Sequence, residues 1–134
     1  MSRNLPDIVI EPVVRAALAE DLGRAGDVTA AACIPEDARM SAVFSARKAG
    51  VMAGASCVRL AGLAMDPDAR IHIHVEDGAA FAAGDALITA DARARALLAA
   101  ERTALNLLGR LCGIASLTRA YVQAVAGTGA RIAD

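Results

Sequence analysis

Tryptophan is absent from this 134-residue chain, and the aromatic total is two phenylalanines and one tyrosine. That shortage excludes the stacking platforms on which single-stranded nucleic acids are held. No sign of charge dominates either: 14 basic residues stand against 15 acidic ones, for a net charge of −1. The balance excludes the basic footprint of a polyanion-binding protein but leaves room for one small anionic ligand. No apolar run is long enough to span a bilayer, and Met1 to Asp7 lacks the basic-then-apolar order of a secretory signal. Neither a nucleic acid nor a membrane is therefore expected as a partner. Cysteine is sparse, at Cys33, Cys57 and Cys112, odd in number and without a CxxC pair. A disulfide framework and a zinc site are both disfavoured, and a reducing cytosol is the simplest location. All three thiols are expected as small buried apolar side chains.

What is present is aliphatic. The hydrophobic share is 56%, so Ala, Leu, Val and Ile must build the core of one domain of ordinary size. Ile8 to Asp21 repeats apolar residues at helical spacing, with Asp7 as the expected cap and Leu22-Gly23 as the stop. Gly26-Asp27-Val28-Thr29 reads as a loop. Ala42 to Ala46 and Val51 to Ala53 read as short strands around a turn at Ala49-Gly50. A short helix is expected over Ser56 to Ala64. Arg70 to Val75 alternates strictly, as a half-buried strand does. Glu76-Asp77-Gly78 is a turn, and Ala86 to Thr89 is another strand. Ala92 to Leu111 carries an apolar stripe at helical spacing. Gly113 is expected to break that helix, and a second follows over Ala115 to Ala126, closed by Gly127-Thr128-Gly129. Arg131 to Asp134 reads as the start of a strand. A domain seldom ends on an unpartnered strand, so the chain is expected to be cut from something longer.

Three segments carry a resemblance when taken together: Glu20-Asp21-Leu22-Gly23 with Gly26-Asp27-Val28-Thr29, then Glu101-Arg102-Thr103-Ala104-Leu105-Asn106, then Gly113-Ile114-Ala115-Ser116. Their order and spacing resemble quinolinate phosphoribosyltransferases over nearly the whole chain, and the ERTALN block is the most specific part. The resemblance implies an α/β (α+β) sandwich over residues 1–112. It implies a linker helix and the first strand of a truncated α/β barrel over residues 113–134. It implies a pentosyltransferase of NAD biosynthesis, acting as a homodimer or larger homo-oligomer. Such an enzyme takes quinolinate and phosphoribosyl pyrophosphate, with Mg²⁺ accompanying the latter, and gives nicotinate mononucleotide. The ligands for phosphate and metal would follow Asp134, so residues 1–134 alone would hold no cofactor and lack activity. Two alternatives stay open: a paralogue associated with molybdenum transport, and a non-catalytic dimerisation or binding module on the same fold.

Arg102 matches the family arginine that reaches the quinolinate pocket of the neighbouring subunit. A planar guanidinium suits that task, because it grips a carboxylate through two parallel hydrogen bonds. From helical spacing alone, Arg102 shares a face with Arg95, Leu98, Leu105, Asn106 and Gly109, at the edge of the apolar stripe. A surface arginine with its head in water satisfies the same pattern. Glu101 falls within the stripe of Ala94, Leu97, Ala104, Leu108 and Leu111, so it is expected buried and paired. Asn106 is expected to tie its amide to backbone, and Asp134 to open the family's next motif.

Other signals point away from chemistry. His72 and His74 alternate on one strand face, but two ligands make a poor zinc site. Asp21 and Asp27 suit helix termination and turn capping. Gly127-Thr128-Gly129 follows a helix and precedes a strand, the reverse of a dinucleotide loop. Gly78 to Leu87 resembles the half-repeat of biotinyl and lipoyl carrier domains, yet Lys48, the only lysine, lacks the flanking pattern.

Overall fold

The computed structural model describes residues 5–133. A first helix, α1 (Asp7–Leu22), buries Val14 and Leu18 and ends where Gly23 takes a φ of 58°. That positive φ is open to glycine at no steric cost. Pro6, not Asp7, occupies the cap position. Asp7 lies inside the first turn and accepts a hydrogen bond from Arg59 at 2.6 Å. The expected loop at Gly26 to Thr29 instead opens a short helix, α2 (Val28–Cys33). Asp27 caps it by accepting from the Ala30 backbone N–H at 2.9 Å. Capping is thus the role of Asp27, as expected, though of a helix too short to show periodicity.

Three antiparallel strands form the main sheet: β1 (Arg39–Ser45), β3 (Arg70–Ile73) and β5 (Ala86–Arg93), in the order β1-β5-β3. A two-stranded ribbon joins β2 (Gly50–Val51) to β4 (Ala80–Phe81). One face of the sheet carries Phe44, Ile88, Ala90 and Ala92 into the core. There they meet α1, the helix α3 (Ala55–Met65) and the long helix α4 (Ala94–Ala124). The other face presents Ser41, Val43, Arg70, His72 and Thr89 outward. The result is a sheet with helices on one face, the expected α/β sandwich.

β5 runs four residues beyond the expected end at Thr89, and α4 starts at Ala94, not Ala92. The cause is local. The Arg93 N–H donates to the Asp66 carboxylate at 2.8 Å, and the Ala94 N–H to the Ala38 carbonyl at 2.7 Å, which holds the chain extended to that point. From there α4 continues for 31 residues without a break at Gly113, about 46 Å of helix. Two expected helices are therefore one, and the expected boundary between residues 112 and 113 falls inside it. Packing explains the continuity. On either side of Gly113, Cys112 Sγ contacts the Ala53 backbone at 3.4 Å and Ser116 Oγ accepts from the Val51 N–H at 2.9 Å. Against such anchors the roughly 1 kcal/mol penalty of a helical glycine is small.

Close approach also fixes Gly54, the residue before α3. Its φ is 96°, and a Cβ there would lie 2.7 Å from Leu111 Cδ1. Arg131 to Ala133 form no strand, contrary to expectation. Among the described residues no strand lies alongside to supply the ladder that a strand requires. Asp134 lies outside the described residues. Cys57 and Cys112 are buried as expected, whereas Cys33 is exposed at the end of α2.

Candidate functional site

α4 sets the site. Its buried side chains include Leu97, Ala100, Thr103, Ala104 and Leu108. Arg102 is two positions from both Ala100 and Ala104, so it stands about 160° around the helix from each. It is exposed, and no ion pair or hydrogen bond engages it among the described residues. Rather than edging the apolar stripe, it points away from the core, in company with exposed Leu105, Asn106 and Gly109.

Glu101 corrects an expectation. It is exposed, with no partner among the described residues, where a buried pair was expected. The stripe narrows toward Ala100 and Ala104, leaving Glu101 at its margin. There it borders a groove of about 350 Å³ between β1 and α4, lined by Met40, Ala42, Phe44, Leu98 and Leu105. A carboxylate at that margin keeps its hydration and needs no buried counter-ion. Asn106 is likewise exposed and makes no backbone hydrogen bond among the described residues, because it faces outward, beyond reach of neighbouring elements.

The polar residue that is buried on this helix is Thr103, 2% exposed. Its hydroxyl donates to Asp21 Oδ2 at 2.7 Å across 82 residues of sequence. Two of the motif segments are thereby joined directly, since Asp21 belongs to EDLG and Thr103 to ERTALN. A third, GIAS, is tied in by Ser116, whose hydroxyl donates to the Cys112 carbonyl at 2.6 Å while accepting from Val51. GDVT, grouped with EDLG, caps α2 through Asp27, and Arg95 Nε donates to the Ile34 carbonyl just beyond that helix at 2.6 Å. Asp21 with Thr103 thus ties α1 to α4, Ser116 ties β2 to it, Arg95 ties the end of α2 to it, and Asp27 caps α2, all around an α4 that displays Arg102. Sequence reasoning passed over Thr103 and Ser116. The available signal was a threonine set inside an apolar stripe, where a hydroxyl must find an acceptor.

A second charged cluster is structural. Asp66, 0% exposed, accepts the Arg93 N–H, the Asp68 N–H and the Arg93 guanidinium. The Arg93 backbone N–H, above all, holds its carboxyl below the usual carboxylate range. The nearby cleft of about 290 Å³ contains Arg93 and Arg95, but both arginines already have protein partners.

The remaining signals are weaker. His72 is exposed on β3, whereas His74, expected on the same strand, is exposed in a bend just past its end, where the His74 and Val75 N–H groups both donate to the Leu87 carbonyl. Among the described residues no three His, Cys, Asp or Glu converge as metal ligands, so these residues do not fit a Mg²⁺ site of their own. Lys48 lies between two strands that pair elsewhere, β1 with β5 and β2 with β4, so it tips no carrier hairpin. No helix among the described residues is long and apolar enough to cross a membrane.

Comparison with known proteins agrees with this geometry. The family model described as quinolinate phosphoribosyl transferase, N-terminal domain, matches residues 27–112. A nicotinate-nucleotide pyrophosphorylase [carboxylating] of Mycobacterium leprae is 42% identical over 126 residues, covering 90% of this chain and 43% of that protein. The quinolinate phosphoribosyltransferase [decarboxylating] 1b of Nicotiana tabacum is 34% identical over 119 residues, covering 89% and 34%. Among solved structures, NadC from Streptococcus pyogenes superposes with a TM-score of 0.87 at 32% identity, over 92% of this chain and 44% of that one. The nicotinate-nucleotide pyrophosphorylase from Francisella tularensis gives 0.83 at 27%, over 91% and 42%. The chain therefore spans less than half the length of these relatives. An N-terminal-domain match over residues 27–112, within a fold shared nearly end to end, shows that the chain belongs to the quinolinate phosphoribosyltransferase family.

Proposed function

We propose that this chain forms the N-terminal portion of a pentosyltransferase of NAD biosynthesis. The whole enzyme joins quinolinate to the phosphoribosyl group of phosphoribosyl pyrophosphate and then releases carbon dioxide. The ring nitrogen of quinolinate bonds to the ribosyl carbon as pyrophosphate leaves. The carboxylate beside that nitrogen departs as carbon dioxide, a proton takes its place, and nicotinate mononucleotide remains. Mg²⁺ accompanies the phosphoribosyl donor, on residues beyond those described here. The names of the relatives favour this branch over the molybdenum-transport paralogue. The isolated thiols and the lack of a membrane-crossing helix among the described residues support a cytoplasmic home.

One observation carries the reading: an arginine displayed outward from α4, unpaired among the described residues, beside a threonine latched to α1. An unpaired guanidinium on a rigid helix is available to an anion that arrives from outside this domain. Quinolinate brings two adjacent carboxylates, to which the guanidinium fork is matched. The outward direction of Arg102 supports a target in the site of a second subunit of a homodimer. The last turns of α4, where Ile114, Leu117, Tyr121 and Val122 are exposed, lead toward the second domain. Orienting the ring nitrogen toward the ribosyl carbon is a positioning problem, and a fixed clamp serves it well.

Arg102→Ala in the full-length enzyme tests the role of the clamp. The expected loss in kcat/KM for quinolinate corresponds to about 1.5–3 kcal/mol, a charge-assisted contact, with thermal stability unchanged. Arg102→Lys restores it only in part, because the charge returns without the fork. Unaltered kcat/KM in Arg102→Ala would remove Arg102 from the site.

A further inference from the structure

Arg102 stands between a firm flank of α4 and an open one. About 100° around the helix on one side is Thr103, buried and bonded to α1. About 40–60° around on the other side are Leu98 and Leu105, which line the groove of about 350 Å³ between α4 and β1. Given the clamp role proposed for Arg102, we propose that Asp21 and Thr103 are its positioning pair. Their hydrogen bond fixes the rotation of α4 about its own axis, and with it the direction in which the guanidinium reaches.

Other polar ties from α4 are remote. Among the described residues the nearest are Arg95 to the Ile34 carbonyl and Cys112 to the Ala53 backbone, about 12 and 14 Å along the helix axis from Thr103. Ala100 and Ala104 pack α4 onto the core, but two methyl groups give little purchase against rotation, and the groove leaves room for it on the β1 side. A 2.7 Å hydrogen bond from a buried hydroxyl is directional and supplies the restraint.

The acceptor points the same way. Asp21 lies in the last turn of α1, at the negative end of the helix dipole, with no basic residue in that turn. Stability alone disfavours a carboxylate there; what it supplies is a short, charge-assisted bond. The precision matters at the far end of the side chain. An arginine head stands roughly 6 Å from the helix axis, so a rotation of about 10° carries it about 1 Å. A misplacement of that size costs up to about a hundredfold in rate. The flexible stem of arginine takes up part of the shift, so a loss of about threefold to tenfold is expected.

The full-length enzyme tests this through kcat/KM for quinolinate, measured per folded enzyme. Thr103→Val should lower it about threefold to tenfold, with KM for phosphoribosyl pyrophosphate unchanged. Thr103→Ser, which keeps the hydroxyl, should restore most of the loss, and Asp21→Asn, which keeps an acceptor without the charge, should fall between. In an Arg102→Ala background Thr103→Val should have no further effect, because the group it positions is gone. A merely structural threonine would lower activity by the same factor in both backgrounds. Equal losses in the two backgrounds, or wild-type kcat/KM in Thr103→Val, would overturn the positioning role while leaving the clamp in place. Unaltered kcat/KM in Arg102→Ala would overturn both, so the two failures are told apart.

Discussion

Replacing Thr103 by valine removes a hydroxyl and nothing else of consequence, since the two side chains share a shape. In the native chain that hydroxyl is buried, and it donates to a carboxylate at 2.7 Å. A hydrogen bond to a charged group contributes about 1.5–3 kcal/mol where neither partner can turn to water. Here the donor is buried but Asp21 is exposed, so water replaces the lost donor at the carboxylate. The expected loss is therefore about 1 kcal/mol, or about 3–5 °C in melting temperature for a domain of this size. Asp21→Ala should cost more than Thr103→Val, because it strands the buried hydroxyl without its acceptor. Urea unfolding of the two single variants and the double variant closes a thermodynamic cycle. The double variant should lose much less than the sum of the singles, with a coupling of about 1 kcal/mol. Additive losses would refute the latch and leave Thr103 as a packing residue.

Two glycines should respond in opposite directions. Gly113→Ala, in mid-helix with nothing within 4 Å of the new methyl, should raise stability by about 0.5–1 kcal/mol. Gly54→Ala, at a φ of 96° and facing Leu111 at 2.7 Å, should lower it by about 2 kcal/mol or more. Thermal melts of both check the continuous α4 and its seat on the loop before α3. Asp66 gives a pH test: its folded-state value lies below the ordinary 3.8. Its contribution is present above that value and lost as pH falls through the lower, folded-state one. Asp66→Asn should therefore lower stability at neutral pH and flatten the acid limb below about pH 4; an unchanged acid limb would contradict the assignment.

Much of the fold was legible because long periodic segments report packing directly. α1, α3 and β3 came within a few residues of their observed limits. α2 did not, since six residues hold too few turns for a period to register. The single helix α4 was read as two because Gly113 carries an intrinsic penalty, while the anchors that override it, Ala53 and Val51, are remote in sequence. Glu101 misled for a geometric reason. Seven residues after Ala94, it fits a strict heptad stripe, but a straight helix drifts by about 20° per heptad, and the buried band centres on Ala100 and Ala104. The site residue named from the resemblance, Arg102, lies exposed on α4, whereas its supports at Asp21 and Ser116 emerge only once distant segments meet.

The central claim is that Arg102 serves a site on the other subunit of a dimer, and subunit mixing tests it most directly. Full-length Arg102→Ala is combined in equal amounts with an inactive variant damaged in the second domain, with exchange monitored separately. If Arg102 acts across the interface, each mixed dimer holds one site with both defects and one with neither. Random exchange makes about half the dimers mixed, so roughly a quarter of wild-type activity should return. If Arg102 acts within its own subunit, every site keeps one defect, and full exchange without recovered activity would contradict the account.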